Sequence, residues 1–393
     1  MPMESFAEYQ HRLKVCAAKW IETSGLTPHG KAPFVLQSQT AWRQNLLLPE
    51  LASILDELQR MRKKSEQRPL LQRMPHSAIS TQIMVFNLFL PLLARDDLDA
   101  IAGPFLRAGT PWPGPGVQAE FEVFANELFR EPYKRPVSAD LVLRGPNGPP
   151  VFVKAKLAEP SFSPCQTMKQ GDCEGAHPGK QFDRCPAQQS RMRYWDALKS
   201  TDTDLSETGP MCPLGPAAEF FLLMTMALND GGHFVLLTHD DNPAFLRNQG
   251  SRGWLPFVTS LLPESKRKRV HVVTLRRVLA ALQRTKRHKD WLAAFVARYG
   301  LDQEHLANRE PEAISRLLGR FPEAEANEVR EIWRGKILGA KGKYDLMATA
   351  GFQRIHALLA SHGLSRQHRE WQLMDEYGQS LYRMARPVGT SKK

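Results

Sequence analysis

The sequence predicts an α/β protein in which a mixed sheet is flanked by helices and carries helical extensions at both ends. Three short strand-like runs follow one another within residues 119–159 and predict an antiparallel meander. Two later apolar runs, "GHFVLLTHDD" and "RVHVV", have the composition of strands. Two segments that are apolar on nearly all sides predict buried helices. Strands and buried helices in one stretch of chain favour an α/β core.

The first 75 residues are predicted to be a helical segment that precedes the core. The run "ELASILDELQRMRKK" has apolar residues at helical spacing, and its basic end suits a helix C-terminus. We place the core at residues 76–300. Residues 301–393 have the pattern of helices with polar connections and no strand, and we predict that they form a helical C-terminal extension.

Within the core, the elements are predicted in a definite order. Ser80 is suited to cap a helix through "TQIMVFNLFLPLLARD", and the Gly/Pro-rich stretch 109–116 predicts a loop. The meander consists of "AEFEVFA", "SADLVLR" and "VFVKAKLAE", and "GPNGPP" forms a tight turn before the third run. A long irregular region then precedes helices over 191–198 and 217–228, and "WLAAFVARYG" closes the core.

The composition is typical of a folded protein, with 42% hydrophobic and 24% charged residues, and it excludes a disordered or fibrous chain. Residues 1–15 have no apolar core of the kind found in signal peptides. The longest apolar run, 83–94, is too short to span a bilayer. We therefore expect a cytoplasmic protein with reduced cysteines and no membrane partner. The signature motifs of NTPases, dehydrogenases and esterases do not occur.

The charge of the chain suggests an anionic partner. The 53 Lys and Arg residues exceed the 41 Asp and Glu residues, so the net charge is +12, which favours nucleic acid before a membrane surface. Residues 266–289 hold ten bases and no acid, on a predicted strand and the solvent face of a predicted helix. There they could contact phosphates, although an ordinary solvated face explains them equally well. The ten bases are Lys266, Arg267, Lys268, Arg269, Arg276, Arg277, Arg284, Lys286, Arg287 and Lys289.

The predicted hairpin carries the residues that suggest chemistry. Asp140 lies at the start of one strand, and Lys154 and Lys156 lie on its partner, where residues two apart face the same side. This arrangement resembles the PD-(D/E)XK nuclease superfamily, in which an Asp and a Glu-x-Lys converge at a metal. The resemblance implies a DNA endonuclease, a hydrolase whose carboxylates hold Mg²⁺ and whose Lys orients water or stabilises charge at the phosphate.

Further runs occur in the order found in one restriction-endonuclease-like bacterial family of that superfamily. They are "SAISTQIMVFNLFLPLL", "AEFEVFA", "RPVSADLVL", "VFVKAKLAEPSFSPC" and "WLAAFVARYG". The resemblance covers about residues 70–300 and leaves 301–393 outside. It implies a restriction-endonuclease-like sheet, a bacterial source and DNA as the partner.

The sequence departs from that family at one decisive position. Lys154 stands where the family has the Glu of Glu-x-Lys, and an ammonium group cannot coordinate Mg²⁺. The resemblance therefore assigns metal ligation only to Asp140 and charge stabilisation only to Lys156. Glu122, on the neighbouring strand, could provide a second carboxylate for Mg²⁺. Glu159 faces the opposite side of a regular strand and would need a bulge or an early strand end to reach the site.

Three interpretations of Lys154 follow. In the first, the site has lost its activity and the fold is kept for binding. In the second, Glu122 or Glu159 replaces the lost ligand and cleavage survives. In the third, the hairpin matches by chance, and Asp140 and Lys156 are ordinary strand residues.

The cysteines form a second candidate site. Cys165, Cys173, Cys185 and Cys212 are grouped in and after a loop-rich region, and four thiolates suffice for Zn²⁺ or an iron–sulfur cluster. Some nucleases of the superfamily carry such a metal beside the catalytic core. The spacing contains no C-x2-C pair, however, so free cysteines in a long loop remain the competing interpretation, and His177 could replace one ligand.

Together these features predict a nucleic-acid-binding protein of the PD-(D/E)XK type, able to cleave DNA with Mg²⁺ only if the degraded site still works. The alternative is a non-enzymatic interaction or scaffold protein that uses the basic helix to bind an acidic protein or another subunit. The sequence does not distinguish these two functions, and it does not define an oligomeric state.

Overall fold

The computed structural model describes residues 5–64, 70–71, 74–132, 136–205, 208–248, 251–285, 287–301, 312–333 and 346–385. The chain divides into two compact units, and the boundary between them lies after Tyr299. The first unit begins at Ser5, so it contains the N-terminal segment together with the sheet. No helix within the described ranges is long and apolar enough to cross a bilayer.

A five-stranded mixed sheet forms the centre of the first unit, as the sequence predicts. Its strands are β1 Gln118–Phe124, β2 Ser138–Gly145, β3 Gly148–Lys156, β4 His233–Thr238 and β5 Val270–Thr274. They lie side by side in chain order. The pairs β1–β2 and β2–β3 are antiparallel, whereas β3, β4 and β5 run parallel. A two-residue turn joins β2 to β3, so the predicted hairpin is confirmed.

Helices cover both faces of this sheet. The longer ones are α1 Phe6–Thr23, α2 Leu51–Lys64, α3 Thr81–Ala94, α4 Tyr194–Ser200, α5 Leu214–Asn229, α6 Trp254–Ser260, α7 Leu275–Thr285 and α8 Lys289–Arg298. Short helices span Ala102–Arg107, Asn126–Phe129, Gln166–Gln170, Pro186–Gln189, Pro243–Leu246 and Glu264–Arg267. Turns of 3₁₀ helix span Gln39–Asn45, Leu98–Ile101 and Phe182–Arg184.

The two apolar helices lie on opposite faces of the sheet. Phe86 of α3 contacts Phe121 of β1, while Phe220 of α5 contacts Phe234 of β4. The strand register places Phe121 and Phe234 on opposite faces, because successive side chains of a strand alternate. Both helices are buried along nearly their whole length, which explains why their sequences are apolar on every side. Ser80 caps α3 as predicted.

The sequence predicted that the N-terminal segment is helical, but in the structure this segment also contains two short strands. Pro28–His29 pairs antiparallel with Ala32–Leu36, and a second small ribbon joins Arg247–Asn248 to Ser251–Arg252. The run "APFVL" is too short to show a strand period, which is why the pattern missed it. The Tyr9 hydroxyl donates to the Leu157 carbonyl over 2.8 Å and ties α1 to the end of β3.

The second unit consists of helices. They are α9 Glu312–Leu318, α10 Glu323–Glu331, α11 Leu346–Ser361 and α12 Arg369–Ala385. Their buried side chains, among them Ile314, Leu358 and Tyr377, form a separate hydrophobic core. No strand occurs among the described residues beyond 300, in agreement with the predicted helical extension.

Candidate functional site

The strand register brings three of the predicted residues into one row. Phe121 pairs with Leu141 and Val123 with Ala139, so Glu122 lies opposite Asp140. The register between β2 and β3 then places Asp140 opposite Lys154. All three side chains are buried. The row therefore lies on one face of the sheet, the face on which α5 packs.

Asp140 has partners for both carboxylate oxygens. Lys154 Nζ donates to Oδ1 over 2.9 Å, and the Ala155 amide donates to Oδ2 over 2.7 Å. Lys154 Nζ also donates to the Ser138 carbonyl over 3.2 Å. The ammonium group of Lys154 thus lies against Oδ1 of Asp140, and a backbone amide lies against Oδ2.

Glu219, which the sequence analysis did not single out, binds both lysines. Its Oε1 lies 3.2 Å from Lys154 Nζ, and its Oε2 lies 2.7 Å from Lys156 Nζ. The Ser163 amide also donates to Oε2, over 2.8 Å. Glu219 is the only charged residue of α5, and a lone carboxylate in an apolar helix requires a buried partner. That signal was present in the sequence, but it did not identify the partner.

Glu122 is buried at the far end of the row. Gln82 Nε2 donates to Oε1 over 2.6 Å, and the Ser138 hydroxyl donates to Oε2 over 2.9 Å. The φ of Glu122 is +49°, in the left-handed region that residues other than glycine rarely adopt. The carboxylate is therefore fixed by neutral donors and by its backbone.

The charges of this cluster respond to one another. Burial lowers the pKa of Lys154, but the carboxylates of Asp140, Glu219 and Glu122 outweigh burial and raise it above the ordinary value of a lysine. Burial raises the pKa of Glu219, but Lys156 and Lys154 outweigh burial and lower it to about 2. Burial and the nearby Asp140 raise the pKa of Glu122 to about 6. Lys154 and Glu219 are therefore both charged at neutral pH.

The cluster opens into a cavity of about 810 Å³. Glu159 reaches this cavity because β3 ends at Lys156, so the early strand end considered from the sequence does occur. Its carboxylate, however, accepts from the Thr81 hydroxyl over 2.8 Å and from the Leu157 amide over 3.0 Å. It therefore lies beside the lysine cluster without an ion pair to Lys154 or Lys156 among the described contacts.

This arrangement does not fit a Mg²⁺ ion held by Asp140 and Glu122. All four oxygens of these two carboxylates already accept hydrogen bonds. A charged ammonium also lies 2.9 Å from Asp140, where it repels a second cation. The ammonium group of Lys156 donates to Glu219 Oε2 over 2.7 Å.

The ten bases of residues 266–289, here called the basic window, lie before and after the edge strand β5. Four of these bases precede β5, namely Lys266, Arg267, Lys268 and Arg269. Two others, Arg276 and Arg277, follow it, and the strand between the two groups is roughly 16 Å long. Arg276 is paired with Asp241 over 3.0 Å, and Arg287 with Asp97 over 3.3 Å. Lys286 lies outside the described residues. The window does not line the carboxylate cavity, among the residues that the structure describes.

Several bases of the basic window that come after β5 in the chain are exposed to solvent. Arg277 and Arg284 are exposed and lie seven positions apart on α7, which puts them on one helix face. Lys289 is exposed at the start of α8. We call Arg277 and Arg284 the α7 basic face.

The four predicted cysteines line a second cavity, of about 400 Å³. Cys165, Cys173, Cys185 and Cys212 are free thiols, and burial raises the pKa of Cys212 to about 12. His177, considered as a replacement ligand, uses both ring nitrogens, towards the Leu205 carbonyl and the Gly179 amide. No three His, Cys, Asp or Glu side chains of the described part of the chain are grouped as they would be around a metal ion.

Comparison with known protein families identifies a match. A family model described as Restriction Endonuclease associating with ARP matches residues 14–300, well over half of the chain. The match covers the sheet, both apolar helices and nearly all of the N-terminal segment. No curated protein and no solved structure matches the chain.

Proposed function

The chain belongs to the family Restriction Endonuclease associating with ARP, and from that premise we propose that it binds DNA while Lys154 keeps its carboxylate site free of metal. The fold and the family support a nuclease-like protein. Binding without cleavage corresponds to the first of the three interpretations of Lys154. The position of Asp140, Lys154 and Lys156 around one cavity supports the assignment to the PD-(D/E)XK type.

One observation carries the proposal. Lys154 Nζ lies 2.9 Å from Asp140 and 3.2 Å from Glu219, so a built-in cation bridges two buried carboxylates. Divalent metals in nucleases neutralise charge of this kind and hold the attacking water. Here the ammonium neutralises the same charge but cannot coordinate a water or a phosphate oxygen as a Lewis acid. Asp140 and Glu219 orient the lysine, so its ammonium group takes the position between these two carboxylates where a metal ion would hold water.

The site is tested with two substitutions that make the same change of charge. Wild type is expected to show no Mg²⁺- or Mn²⁺-dependent cleavage of duplex or single-stranded DNA. Lys154→Glu replaces the cation with a carboxylate between Asp140 and Glu219, so it should bind Mg²⁺ in a calorimetric titration and gain thermal stability from it. Lys199→Glu, on the exposed face of α4, should do neither.

Two results would overturn this assignment. Metal-dependent cleavage by wild type, lost in Asp140→Asn, would show that the site works with Lys154 in place. Equal Mg²⁺ binding by wild type and Lys154→Glu would show that the ammonium does not exclude the ion. A circular dichroism spectrum of each variant establishes that it is folded before either result is read.

The family description favours a second candidate function, in which the chain acts through a protein partner. The name of the family refers to association with ARP. The α7 basic face would then contact an acidic surface of that partner. Duplex DNA binding that weakens steeply with salt supports the first function, whereas a defined complex without DNA binding at low salt supports the second.

A further inference from the structure

Two buried histidines lie side by side at the beginning of the parallel strands. His233 is the first residue of β4, and His271 is the second residue of β5. They are 7% and 8% exposed. Their rings are stacked with the centroids 5.1 Å apart, and His233 Nδ1 lies 2.8 Å from His271 Nε2. Neither ring lines the carboxylate cavity, so this pair is separate from the lysine cluster.

The outer partners of the two rings determine where each hydrogen lies. Arg269 Nη1 lies 3.0 Å from His233 Nε2, which accepts because a guanidinium group only donates. At the other end, His271 Nδ1 lies 3.1 Å from the Ala108 carbonyl, which only accepts, so this Nδ1 carries a hydrogen. His233 therefore has its hydrogen on Nδ1 and donates it to His271 Nε2. The hydrogen bonds run in one direction from Arg269 to Ala108, and we call these four groups the histidine row.

The histidine row has no place for another proton. On His233 the proton would lie on Nε2 and face the Arg269 guanidinium group. On His271 it would lie on Nε2 and face the hydrogen on His233 Nδ1. In either case two buried donors would face each other without an acceptor, which is costly. Both imidazoles are therefore neutral in this arrangement, and the row breaks when either of them is protonated.

The surroundings of the row also disfavour a second proton. Burial, His271 and Arg269 lower the pKa of His233 to about 4. Burial lowers the pKa of His271 as well; its hydrogen bond to a carbonyl opposes this effect, and Arg269 adds to it. Asp230, the nearest acidic residue along the chain from His233, is paired with Arg144 over 2.8 Å. Among the described residues, the charged and titratable groups that face one another here are thus Arg269 and the two imidazoles.

The histidine row attaches a loop to the edge strand. Ala108 directly precedes the Gly/Pro-rich loop 109–116, and Gly109 adopts a φ of +84° beside the His271 ring. Further along the loop, a backbone amide of the β2–β3 turn donates to the Pro113 carbonyl over 3.2 Å. The loop is therefore held at its start by an imidazole that can titrate and in its middle by a backbone hydrogen bond that cannot.

We propose that the histidine row is a pH-sensitive switch, which releases the start of loop 109–116 and the Arg269 side chain when an imidazole takes up a proton. In the neutral state the row holds Ala108 against β5, and Arg269 also donates to the Gly231 carbonyl over 3.2 Å. A proton on His233 places two cations 3.0 Å apart, so Arg269 turns to solvent and joins the exposed bases of the basic window. The switch requires neither a metal ion nor DNA cleavage.

The first experiment locates the hydrogens in the full chain. Nuclear magnetic resonance of protein labelled with ¹⁵N-histidine distinguishes protonated from unprotonated ring nitrogens, and the single variants His233→Gln and His271→Gln assign the signals. At pH 7 we expect both rings to carry hydrogen on Nδ1 and none on Nε2, and His233 should change charge at about pH 4. A hydrogen on Nε2 of either ring at pH 7, or a midpoint near 6.5 for His233, would overturn the proposal.

Urea unfolding measures how the row is coupled to stability. Because the pKa of His233 is lowered in the folded chain, its stabilising effect is complete above the ordinary value of 6.5 and is lost as the pH falls towards 4. Between pH 7 and pH 4, the unfolding constant of wild type should rise about 100-fold more than that of the double variant His233→Gln with His271→Gln. The two amides donate and accept as neutral imidazoles do, but they take up no proton. His11→Gln, at an exposed position of α1, should keep the wild-type dependence.

Hydrogen exchange followed by mass spectrometry shows whether the loop is released. After correction for the intrinsic effect of pH, the amides of residues 105–116 should exchange about tenfold faster at pH 4 than at pH 7 in wild type, but not in the double variant. The amides of α5 should keep their protection in both chains. Unchanged protection of residues 105–116 in wild type, or equal pH dependence of unfolding in wild type and the double variant, contradicts the switch. The resonance and exchange results for wild type decide the matter even if the double variant fails to fold.

Discussion

Glu219 shows at the scale of one residue how the site is held together. Its two oxygens contact two ammonium groups, at 3.2 Å and 2.7 Å, and a backbone amide as well. A buried lysine without an anion would be strongly destabilising, since an uncompensated charge is left in the interior. Glu219 is therefore the anion that compensates the buried ammonium group of Lys156 and, together with Asp140, that of Lys154.

Replacing Glu219 with Gln is expected to destabilise the first unit by about 3 kcal/mol or more at pH 7, because both lysines lose their shared anion. The pKa of Glu219 is lowered to about 2, so its stabilising effect is complete above the ordinary value of 4.5 and is lost as the pH falls towards 2. The difference between wild type and variant should shrink over that range. Urea unfolding at a series of pH values measures both effects.

Glu174→Gln provides the control, since Glu174 is exposed and the same chemical change there should alter stability by less than about 0.5 kcal/mol. A difference below about 1 kcal/mol for Glu219→Gln, or one that does not change between pH 6 and pH 3, would contradict the assigned role. It would mean that the lysines find other partners when the carboxylate is removed.

Residue patterns predicted part of this site but not all of it. Strand alternation predicted that Lys154 and Lys156 face the same side of their strand, and the resemblance implied that Asp140 converges with them. The strand register places Asp140 opposite Lys154. Glu219 lies 63 residues beyond Lys156 on a helix, and its contact depends on how α5 packs against the sheet. No local periodicity encodes that packing, so the sequence could indicate a buried carboxylate without identifying its partners.

Among the secondary structure elements, α8 packs against α1 and is also linked to the N-terminal segment by the buried side chain of Arg298. Arg298 donates to the Asn45 carbonyl over 2.7 Å, to Asn45 Oδ1 over 2.6 Å and to the Ala78 carbonyl over 2.9 Å. Its guanidinium group also lies over the Trp20 ring at 4.2 Å. The sequence predicted the helix that ends there, but this long-range link to the N-terminal segment was not visible in it.

Replacing Arg298 with Met should cost about 2–4 kcal/mol, because the buried Ala78 carbonyl and Asn45 Oδ1 lose this donor while the apolar stem is kept. The Asn45 carbonyl keeps the Asn87 side-chain amide as a donor. Unfolding followed by tryptophan fluorescence should report the loss, because Trp20 lies against the guanidinium group. Arg284→Met, on the exposed surface of α7, should change stability by less than about 0.5 kcal/mol. Equal stability of the two variants would show that α8 is held by its apolar contacts alone.

For the whole molecule, the net charge of +12 is not a uniform property of the surface. Within the basic window, Arg276 and Arg287 are paired with acids, and Arg267 donates to the Ser260 and Leu262 carbonyls. The α7 basic face is exposed at the edge of the sheet. A phosphate backbone is therefore expected to contact this face before the rest of the window.

Reversing both charges of that face, with Arg277→Glu and Arg284→Glu together, is expected to weaken duplex DNA binding and to flatten its salt dependence. Each phosphate contact contributes about 0.9 to the slope of log affinity against log salt, so the slope should fall by about 2. Fluorescence anisotropy with a labelled duplex between 50 and 200 mM salt measures the slope directly.

The matched control separates contact from net charge. Lys63→Glu with Lys64→Glu makes the same change of charge on an exposed part of α2, so long-range attraction falls by a similar amount while the α7 basic face stays intact. The salt slope should then remain close to that of wild type, because no phosphate contact is lost. Equal slopes for the two double variants would place the DNA elsewhere on the surface. Absence of wild-type binding at low salt would instead favour a protein partner for the α7 basic face.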